Sequence, residues 1–270
     1  MKKLLVLLLA LVMTCTAIVS CGGGSYSDLA IVDLGLELEY FGIAFRDGSD
    51  MTRKVEDITL QLIEDGKLAE LSTKYEVDAV DANEYTPKAD PCEDSGDWAE
   101  IQAKGKLVVG ITDYKPMDYR DENGNWIGFD ADYARAVAEK LGVDVEFKEI
   151  EWDFKLEALA AKDIDCIWNG MTITDAIETA ADCTAPYMYN TQVAVVKKTD
   201  VEKYKTVADL AGLRIAAESG SAGEKFIQSD DTLKDGLKSM SGQTDALLEV
   251  LSGSSQAAIV DLTLAKALIK

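Results

Sequence analysis

The chain has no histidine among its 270 residues and only four prolines, and its 27 lysines and arginines face 49 aspartates and glutamates. Without histidine, a serine–histidine triad, a histidine metal site and histidine acid–base chemistry are all excluded. The formal net charge of −22 at pH 7 excludes a nucleic-acid-binding protein, because so acidic a surface repels the phosphate backbone. We expect no metal, no cofactor and no nucleic-acid partner.

Cysteine is also scarce, and no two of the five cysteines have the CxxC spacing of metal and redox sites. Cys166 lies in an apolar run, so we expect it to be a small buried hydrophobic residue. A Cys166–Cys183 bridge is the alternative, because exported proteins can form disulfides. The sequence leaves this choice open.

The N-terminal segment has the features of an export signal. Residues 1–20 place two lysines before an apolar run, as secretory signal peptides do. Cys21 follows Ile18-Val19-Ser20 and precedes Gly22-Gly23-Gly24-Ser25, an arrangement that resembles a bacterial lipobox. It implies cleavage before Cys21, lipidation of its thiol and a flexible tether over residues 21–26. The alternative is an ordinary signal peptide with an incidental cysteine.

No later apolar run approaches the ~20 residues of a membrane span. Together with the predicted lipobox, this leads us to expect an extracytoplasmic protein that is lipid-anchored to the bacterial cell membrane.

The rest of the chain alternates between strand and helix patterns. The runs KLVVGITD, IDCIWNG and QAAIVD predict buried strands, and residues 130–141 predict a helix that ends at Gly142. Residues 55–75 also have helical spacing, with a break at Asp65-Gly66. Asn123-Gly124 predicts a hairpin turn. This alternation is typical of α/β proteins with mostly parallel sheets.

Five blocks in register carry a resemblance to a known family. They are GITDYKPMDYRDENGNWIGFDADYARAVAEKLG, NGMTIT, YMYNTQVAVVKK, VADLAGLRIAAESGSAGEKF and AAIVDLTLAKALI. Their order and spacing over residues 98–270 are similar to those of the extracellular solute-binding proteins of amino-acid ABC importers. The resemblance implies a two-lobed, periplasmic-binding-protein-like type II fold, in which each lobe is a mostly parallel sheet flanked by helices.

The order of the segments departs from this family. In the family the last helix is followed by a strand of the YYGIAFRKGS type and two closing helices. Similar pieces stand here at residues 28–77, and they include EYFGIAFRDGSD at residues 39–50. We therefore expect a circularly permuted chain, in which a linker at residues 83–97 joins the ancestral termini. The alternative is a truncated binding domain before a complete one, which is disfavoured because the later copy stops at Lys270, where the missing piece would begin.

The permuted order predicts how the chain divides between the two lobes. Residues 27–45 and 197–270 are expected in lobe 2, and residues 46–82 and 98–196 in lobe 1. The two hinge strands are expected near residues 42–45 and 192–196.

The resemblance also implies a set of ligand-binding residues in the cleft between the lobes. Asp261 ends the strand QAAIVD, where the family has an acid for the ligand's α-ammonium group, and strand carboxyl ends face the crevice in α/β folds. Two helix starts, at Thr174-Asp175 and at Ser221, offer N–H groups for a carboxylate, although plain helix capping is the alternative. The expected ligand-binding residues are Tyr114, Met117, Trp152, Asn169, Gly170, Thr172, Ser221, Ala222 and Asp261. Trp168 is a further candidate for the pocket wall, and core packing is the alternative for each aromatic residue.

One position departs from the family in a way that concerns the ligand. The family has an arginine three residues after the second threonine of MTIT, where it clamps the ligand carboxylate, and here this residue is Ile177. A charge-assisted hydrogen bond is worth roughly 1.5–3 kcal/mol. Either Thr172 and Ser221 carry the anionic end instead, or another arginine serves, or the ligand is not a standard α-amino acid.

These observations predict a monomeric binding protein. We expect it to bind a small amino-acid-like solute with high affinity and to deliver it to an ABC transporter permease by hinge closure. A sensory domain that works with a separate membrane receptor is one alternative. A dehydratase-like enzyme on the same fold is another, but the sequence offers no acid–base pair with a recognisable motif.

Overall fold

The computed structural model describes residues 25–88 and 95–270. The predicted signal peptide, the lipidation site Cys21 and Cys92 lie outside these residues, so the export and anchoring of the chain stay predictions. Among the described residues, no helix combines the length and the apolar character that crossing a membrane requires.

Strands and helices alternate along the chain, as the sequence predicted. The strands are β1 (Leu29–Val32), β2 (Leu38–Arg46), β3 (Lys106–Ile111), β4 (Tyr119–Arg120), β5 (Trp126–Ile127), β6 (Asp144–Glu149), β7 (Cys166–Thr172), β8 (Ala181–Cys183), β9 (Met188–Lys197), β10 (Ile215–Glu218), β11 (Leu237–Met240) and β12 (Ala257–Asp261). The α-helices are α1 (Asp50–Glu64), α2 (Lys67–Tyr75), α3 (Asp97–Lys104), α4 (Phe129–Leu141), α5 (Lys155–Ala160), α6 (Asp175–Ala180), α7 (Ala222–Ser229), α8 (Gln243–Ser252) and α9 (Leu262–Leu268).

The predicted break between two helices near residue 65 is confirmed. The hydroxyl oxygen of Ser49 accepts a hydrogen bond from the backbone N–H of Met51, which caps the start of α1. Gly66 lies between α1 and α2 with φ = 76°, a left-handed conformation that glycine adopts without steric cost. Both helices pack against α4, and α1 also contacts β2.

Two sheets form the two lobes, and they share a long strand. The continuous strand order is β11-β10-β12-β9-β2-β7-β3-β6, with β1 paired to β9 and β8 paired to β2. Residues 188–191 of β9 pair with β2 in lobe 1, whereas residues 192–197 pair with β12 and β1 in lobe 2. Lobe 1 therefore contains β2, β3, β6, β7 and β8, and lobe 2 contains β1, β10, β11 and β12.

The predicted lobe boundaries require a correction at β2 and at β9. Residues 38–45 were assigned to lobe 2, but β2 pairs with β7 and β8 of lobe 1. Residues 192–196 were assigned to lobe 1, but they pair with strands of lobe 2. The chain crosses between the lobes in the segment 33–37 and within β9 at residues 191–192. The sequence misplaced these crossings because a long strand can leave one sheet and enter another without any change in its own pattern.

The segment that the sequence identified as displaced contributes to both lobes. Residues 25–75 supply β1 to lobe 2 and β2, α1 and α2 to lobe 1. A circular permutation of the family order would produce this arrangement, and the permutation itself stays a prediction. Cys166 and Cys183 are both buried free thiols, so the bridge between them, kept open above, does not form.

Candidate functional site

A cavity lies between the two lobes, and most of the predicted ligand-binding residues surround it. Its volume is about 30 Å³, which is small beside the roughly 300–1,000 Å³ of typical ligand pockets. The predicted residues that line it are Tyr114, Trp152, Asn169, Gly170, Thr172, Ser221, Ala222 and Asp261. Residues that the sequence analysis did not assign to the ligand also line it, among them Lys155, Glu218, Lys225 and Gln243.

Two of the candidates lie in the core instead. Met117 is fully buried and does not line the cavity, because its side chain packs behind the cavity wall, close to Gly170. Trp168 is also fully buried, and its ring meets the ring of Tyr133 edge-on, with 4.6 Å between the ring centroids. Successive side chains of a strand point to opposite faces, so Trp168 faces α4 while Asn169 lines the cavity.

The wall formed by lobe 1 depends on a glycine. Gly170 has φ = 55°, and a Cβ atom there would lie 2.5 Å from a ring carbon of Tyr114. Only glycine therefore lets the Tyr114 ring reach this position. The backbone N–H of Gly170 donates to the carboxylate of Asp130 at 2.6 Å. Nearby, the side-chain amide of Asn169 accepts from the backbone N–H of Thr112 at 3.0 Å and donates to its hydroxyl at 2.7 Å, which fixes its orientation.

Asp261 is a buried carboxylate that receives hydrogen bonds from neutral groups. It is 5% exposed at the end of β12, as the strand pattern predicted. Its Oδ1 accepts from the side-chain amides of Asn190 and Gln192 at 2.6 Å each, and its Oδ2 accepts from that of Gln243. Burial raises the pKa of Asp261, while these amide donors oppose the rise. Among the described residues, no lysine or arginine forms an ion pair with it within 4.0 Å.

Two further acids accompany Asp261, and the sequence analysis missed both. Burial, followed by the charge of Asp261, raises the pKa of Glu218 to about 8 and that of Glu39 to about 7. Glu39 shares the amides of Asn190 and Gln192 with Asp261, because its Oε2 lies 3.2 Å and 2.9 Å from their nitrogens. The strand-end rule that pointed to Asp261 also applies to Glu218, the last residue of β10. No sequence signal marks Glu39, which reaches this network only through the pairing of β2 with β9.

The two hydroxyls predicted to hold the ligand's anionic end already have partners. The Thr172 hydroxyl donates to Oε2 of Glu39 at 3.3 Å. The hydroxyl oxygen of Ser221 accepts from the backbone N–H of Glu224 at 3.1 Å and caps α7. A carboxylate next to Thr172 repels an anion, which opposes the predicted role of Thr172. Ile177, at the position of the family's arginine, lines the cavity with an apolar side chain.

The chain belongs to the bacterial extracellular solute-binding proteins, family 3, which it matches over residues 107–267. The match begins at β3, and it covers strands and helices of both lobes, including the elements that carry Asp261 and Ser221.

Individual relatives make the comparison more specific. The L-cystine-binding protein TcyJ of Escherichia coli (strain K12) is 31% identical over 136 residues, which is 50% of this chain and 51% of TcyJ. The chain thus spans about half the length of this curated relative. The arginine-bound form of truncated ArgBP from T. maritima is 35% identical with a TM-score of 0.60, and the match covers 63% of this chain and 79% of that one. The ancestral amino acid-binding protein AncCDT-1, a precursor of cyclohexadienyl dehydratase, is 35% identical with a TM-score of 0.58, covering 61% of this chain and 73% of that one. The fold is therefore the two-lobed, type II periplasmic-binding-protein-like fold that the sequence predicted.

Proposed function

We propose that this chain binds a small amino acid outside the cytoplasm, between its two lobes, and delivers it to an ABC importer. The observation that carries the proposal is the buried carboxylate of Asp261, which faces the inter-lobe cavity and accepts hydrogen bonds from three neutral amides. A buried charge of this kind is stabilised by a partner of opposite sign. The α-ammonium group of an amino acid supplies such a partner.

The size of the cavity indicates that binding requires the lobes to separate. A volume of about 30 Å³ is far below the roughly 300–1,000 Å³ of pockets that bind small molecules, so an amino acid needs a more open arrangement. The chain crosses between the lobes in the segment 33–37 and at residues 191–192 of β9, so these two places serve as hinges for opening and closure. A solute that contacts both lobes would favour the closed arrangement, which the transporter then recognises.

The partner and the location follow from family membership and from the predicted lipobox. An ABC transporter permease is the proposed partner, and the protein is proposed to act as a monomer. Lipidation of Cys21 would hold it at the outer face of the cell membrane, with residues 21–26 as the tether. The net charge of −22 favours solubility and discourages self-association.

A thermal-shift screen tests the binding function. The mature protein is heated with each of the twenty amino acids, cystine, polyamines and small organic acids. A ligand at 100 times its Kd adds roughly 2.7 kcal/mol to the free energy of unfolding, which gives a clear rise in Tm. Asp261→Asn is the matched control, because it keeps the shape of the side chain and removes the charge. If no amino acid raises the Tm of the wild-type protein, the proposed function is wrong.

A dehydratase-like enzyme is the second candidate, and one observation favours it. Lys155 and Glu218 both line the cavity, and burial lowers the pKa of Lys155 to about 8 and raises that of Glu218 to about 8. Groups with such perturbed pKa values in a cleft are also found in active sites. An assay for loss of a cyclic hydroxy acid at catalytic protein concentrations separates the two functions. Multiple turnovers per protein molecule would favour the enzyme, and stoichiometric binding without turnover would favour transport.

A further inference from the structure

Lys155 is a buried lysine that joins the two lobes across the cavity. It begins α5 in lobe 1 and is 6% exposed. Its Nζ donates to the backbone carbonyl of Trp152 at 3.1 Å, in its own lobe, and to the backbone carbonyl of Gly220 at 3.1 Å, in lobe 2. Gly220 directly precedes Ser221, the residue that caps α7. The ammonium group therefore lies beside the start of α7, on the boundary between the lobes.

In the part of the chain that the structure describes, Lys155 forms no ion pair within 4.0 Å, and the carboxylates of Glu218, Asp153 and Glu157 act on its charge only from a longer distance. Its two hydrogen bonds go to backbone carbonyls. The ring of Trp152 lies 4.6 Å from Nζ and adds a cation–π contact. An ammonium group has three N–H donors, so one donor remains after the two carbonyls are counted. A buried cation in this state favours an anionic ligand.

The arginines of the chain do not compete for this role. Arg46, Arg53, Arg120 and Arg135 each form an ion pair elsewhere, and none of the five arginines lines the cavity. The described residues place two lysines in the cavity wall. Lys225 is exposed on α7, whereas Lys155 is buried.

We propose that Lys155 binds the carboxylate of the ligand and replaces the arginine that the family has at the position of Ile177. This proposal rests on the proposed function, because it takes the ligand to be an amino acid. The carboxylate then lies between the Lys155 ammonium group and the first N–H groups of α7, and the α-ammonium group lies at Asp261. The ligand thus contacts lobe 1 through Lys155 and lobe 2 through α7 and Asp261, so its binding holds the lobes together.

The test compares an amino acid with its primary amide in wild-type protein and in Lys155→Met. The probe is the amino acid that binds most tightly in the thermal-shift screen, together with its α-carboxamide, which lacks only the carboxylate charge. Affinities are measured by calorimetry. Lys155→Met should weaken binding of the acid by about 10- to 100-fold, as expected for a lost charge-assisted hydrogen bond, and binding of the amide by less than about threefold. Lys198→Met, which removes an exposed lysine outside the cavity wall, is the control and should change both affinities by less than about threefold. Lys225→Met asks whether the other lysine of the cavity wall takes the carboxylate instead.

Each other outcome overturns the proposal. If Lys155→Met weakens acid and amide equally, Lys155 only holds the lobes together. If neither affinity changes, it does not contact the ligand, and if Lys225→Met shows the selective loss, the carboxylate lies at Lys225. If Lys155→Met fails to fold, the wild-type protein still decides, because equal affinity for acid and amide would exclude a cationic partner for the carboxylate. Failure of every amino acid to bind the wild-type protein would instead show that the proposed function is wrong.

Discussion

Replacing Glu218 with glutamine should stabilise the ligand-free protein at pH 8 and leave its stability nearly unchanged at pH 5. Glu218 ends β10, is 5% exposed and lines the cavity. Burial is the main cause that raises its pKa from 4.5 to about 8, and the charge of Asp261 adds to the rise. Glutamine has nearly the same shape and no charge, so the substitution removes the cost of an ionised group at this place.

The sign and the size of the effect follow from the shift in pKa. A carboxyl group with a raised pKa keeps its proton in the folded protein at pH values where the unfolded chain has lost it. The free energy of unfolding therefore falls as the pH rises from about 4.5 to about 8, by about 1.4 kcal/mol per pH unit for one group. Because the charge of Asp261 contributes to the shift of Glu218, we expect the free energy of unfolding to fall by about 2–4 kcal/mol between pH 5 and pH 8.

Urea unfolding, followed by tryptophan fluorescence at both pH values, measures this difference. The control is Glu64→Gln, which removes the same charge from an exposed position at the end of α1. The free energy of unfolding of Glu218→Gln, relative to that of the wild type, should rise by about 2–4 kcal/mol from pH 5 to pH 8. For the control variant, the same difference should change by less than about 0.5 kcal/mol. If the difference in free energy of unfolding between Glu218→Gln and the wild type does not depend on pH, Glu218 has an ordinary pKa. That result would refute our account of the three acids Glu218, Asp261 and Glu39.

Three further predictions concern the ligand and the order of the chain. Asp261→Ala should weaken amino-acid binding by about 2–5 kcal/mol, since it leaves the ligand's ammonium group unpaired; unchanged affinity in calorimetry, with the fold intact, would remove Asp261 from the site. Ile177→Arg should tighten binding by about tenfold if the carboxylate lies within its reach, whereas loss of binding in a folded variant would place an apolar part of the ligand there. A reordered chain, with residues 95–270 followed by a glycine-rich link and residues 25–88, should fold and bind the same amino acid; a chain that shows no cooperative unfolding would contradict the predicted permutation.

Local patterns in the sequence were sufficient for most of the secondary structure. Gly66 marked the break between α1 and α2 because a left-handed residue cannot continue a helix. The Asn123-Gly124 turn lies between β4 and β5, which pair antiparallel as predicted. These features depend on residues close together in the chain, and their conformational preferences can be read without the fold. Asp261 was also found locally, because the end of an apolar strand and the family motif coincide there.

The set of side chains that line the cavity depends on contacts between residues that are distant in the sequence. The structure brings together Tyr114, Asn169, Ser221 and Asp261, as the family resemblance implied, but it moves Met117 into the core. The motif identifies Met117 by its position in the sequence, but it does not determine whether its side chain faces the cavity or packs in the core close to Gly170. Packing in three dimensions decides that.

The sequence alone determined the α/β class, the family and the acid at the end of β12, because short-range periodicity and motif spacing encode them. Only the tertiary structure decided where the lobes divide, since β2 and β9 enter their sheets through backbone pairing that side-chain patterns do not record. It also decided the electrostatics of the site. In the sequence Lys155 is an ordinary lysine at the start of a short helix. The backbone carbonyl of Gly220, 65 residues later in the chain, reaches it only when the two lobes meet, and this contact places the buried ammonium group beside the start of α7.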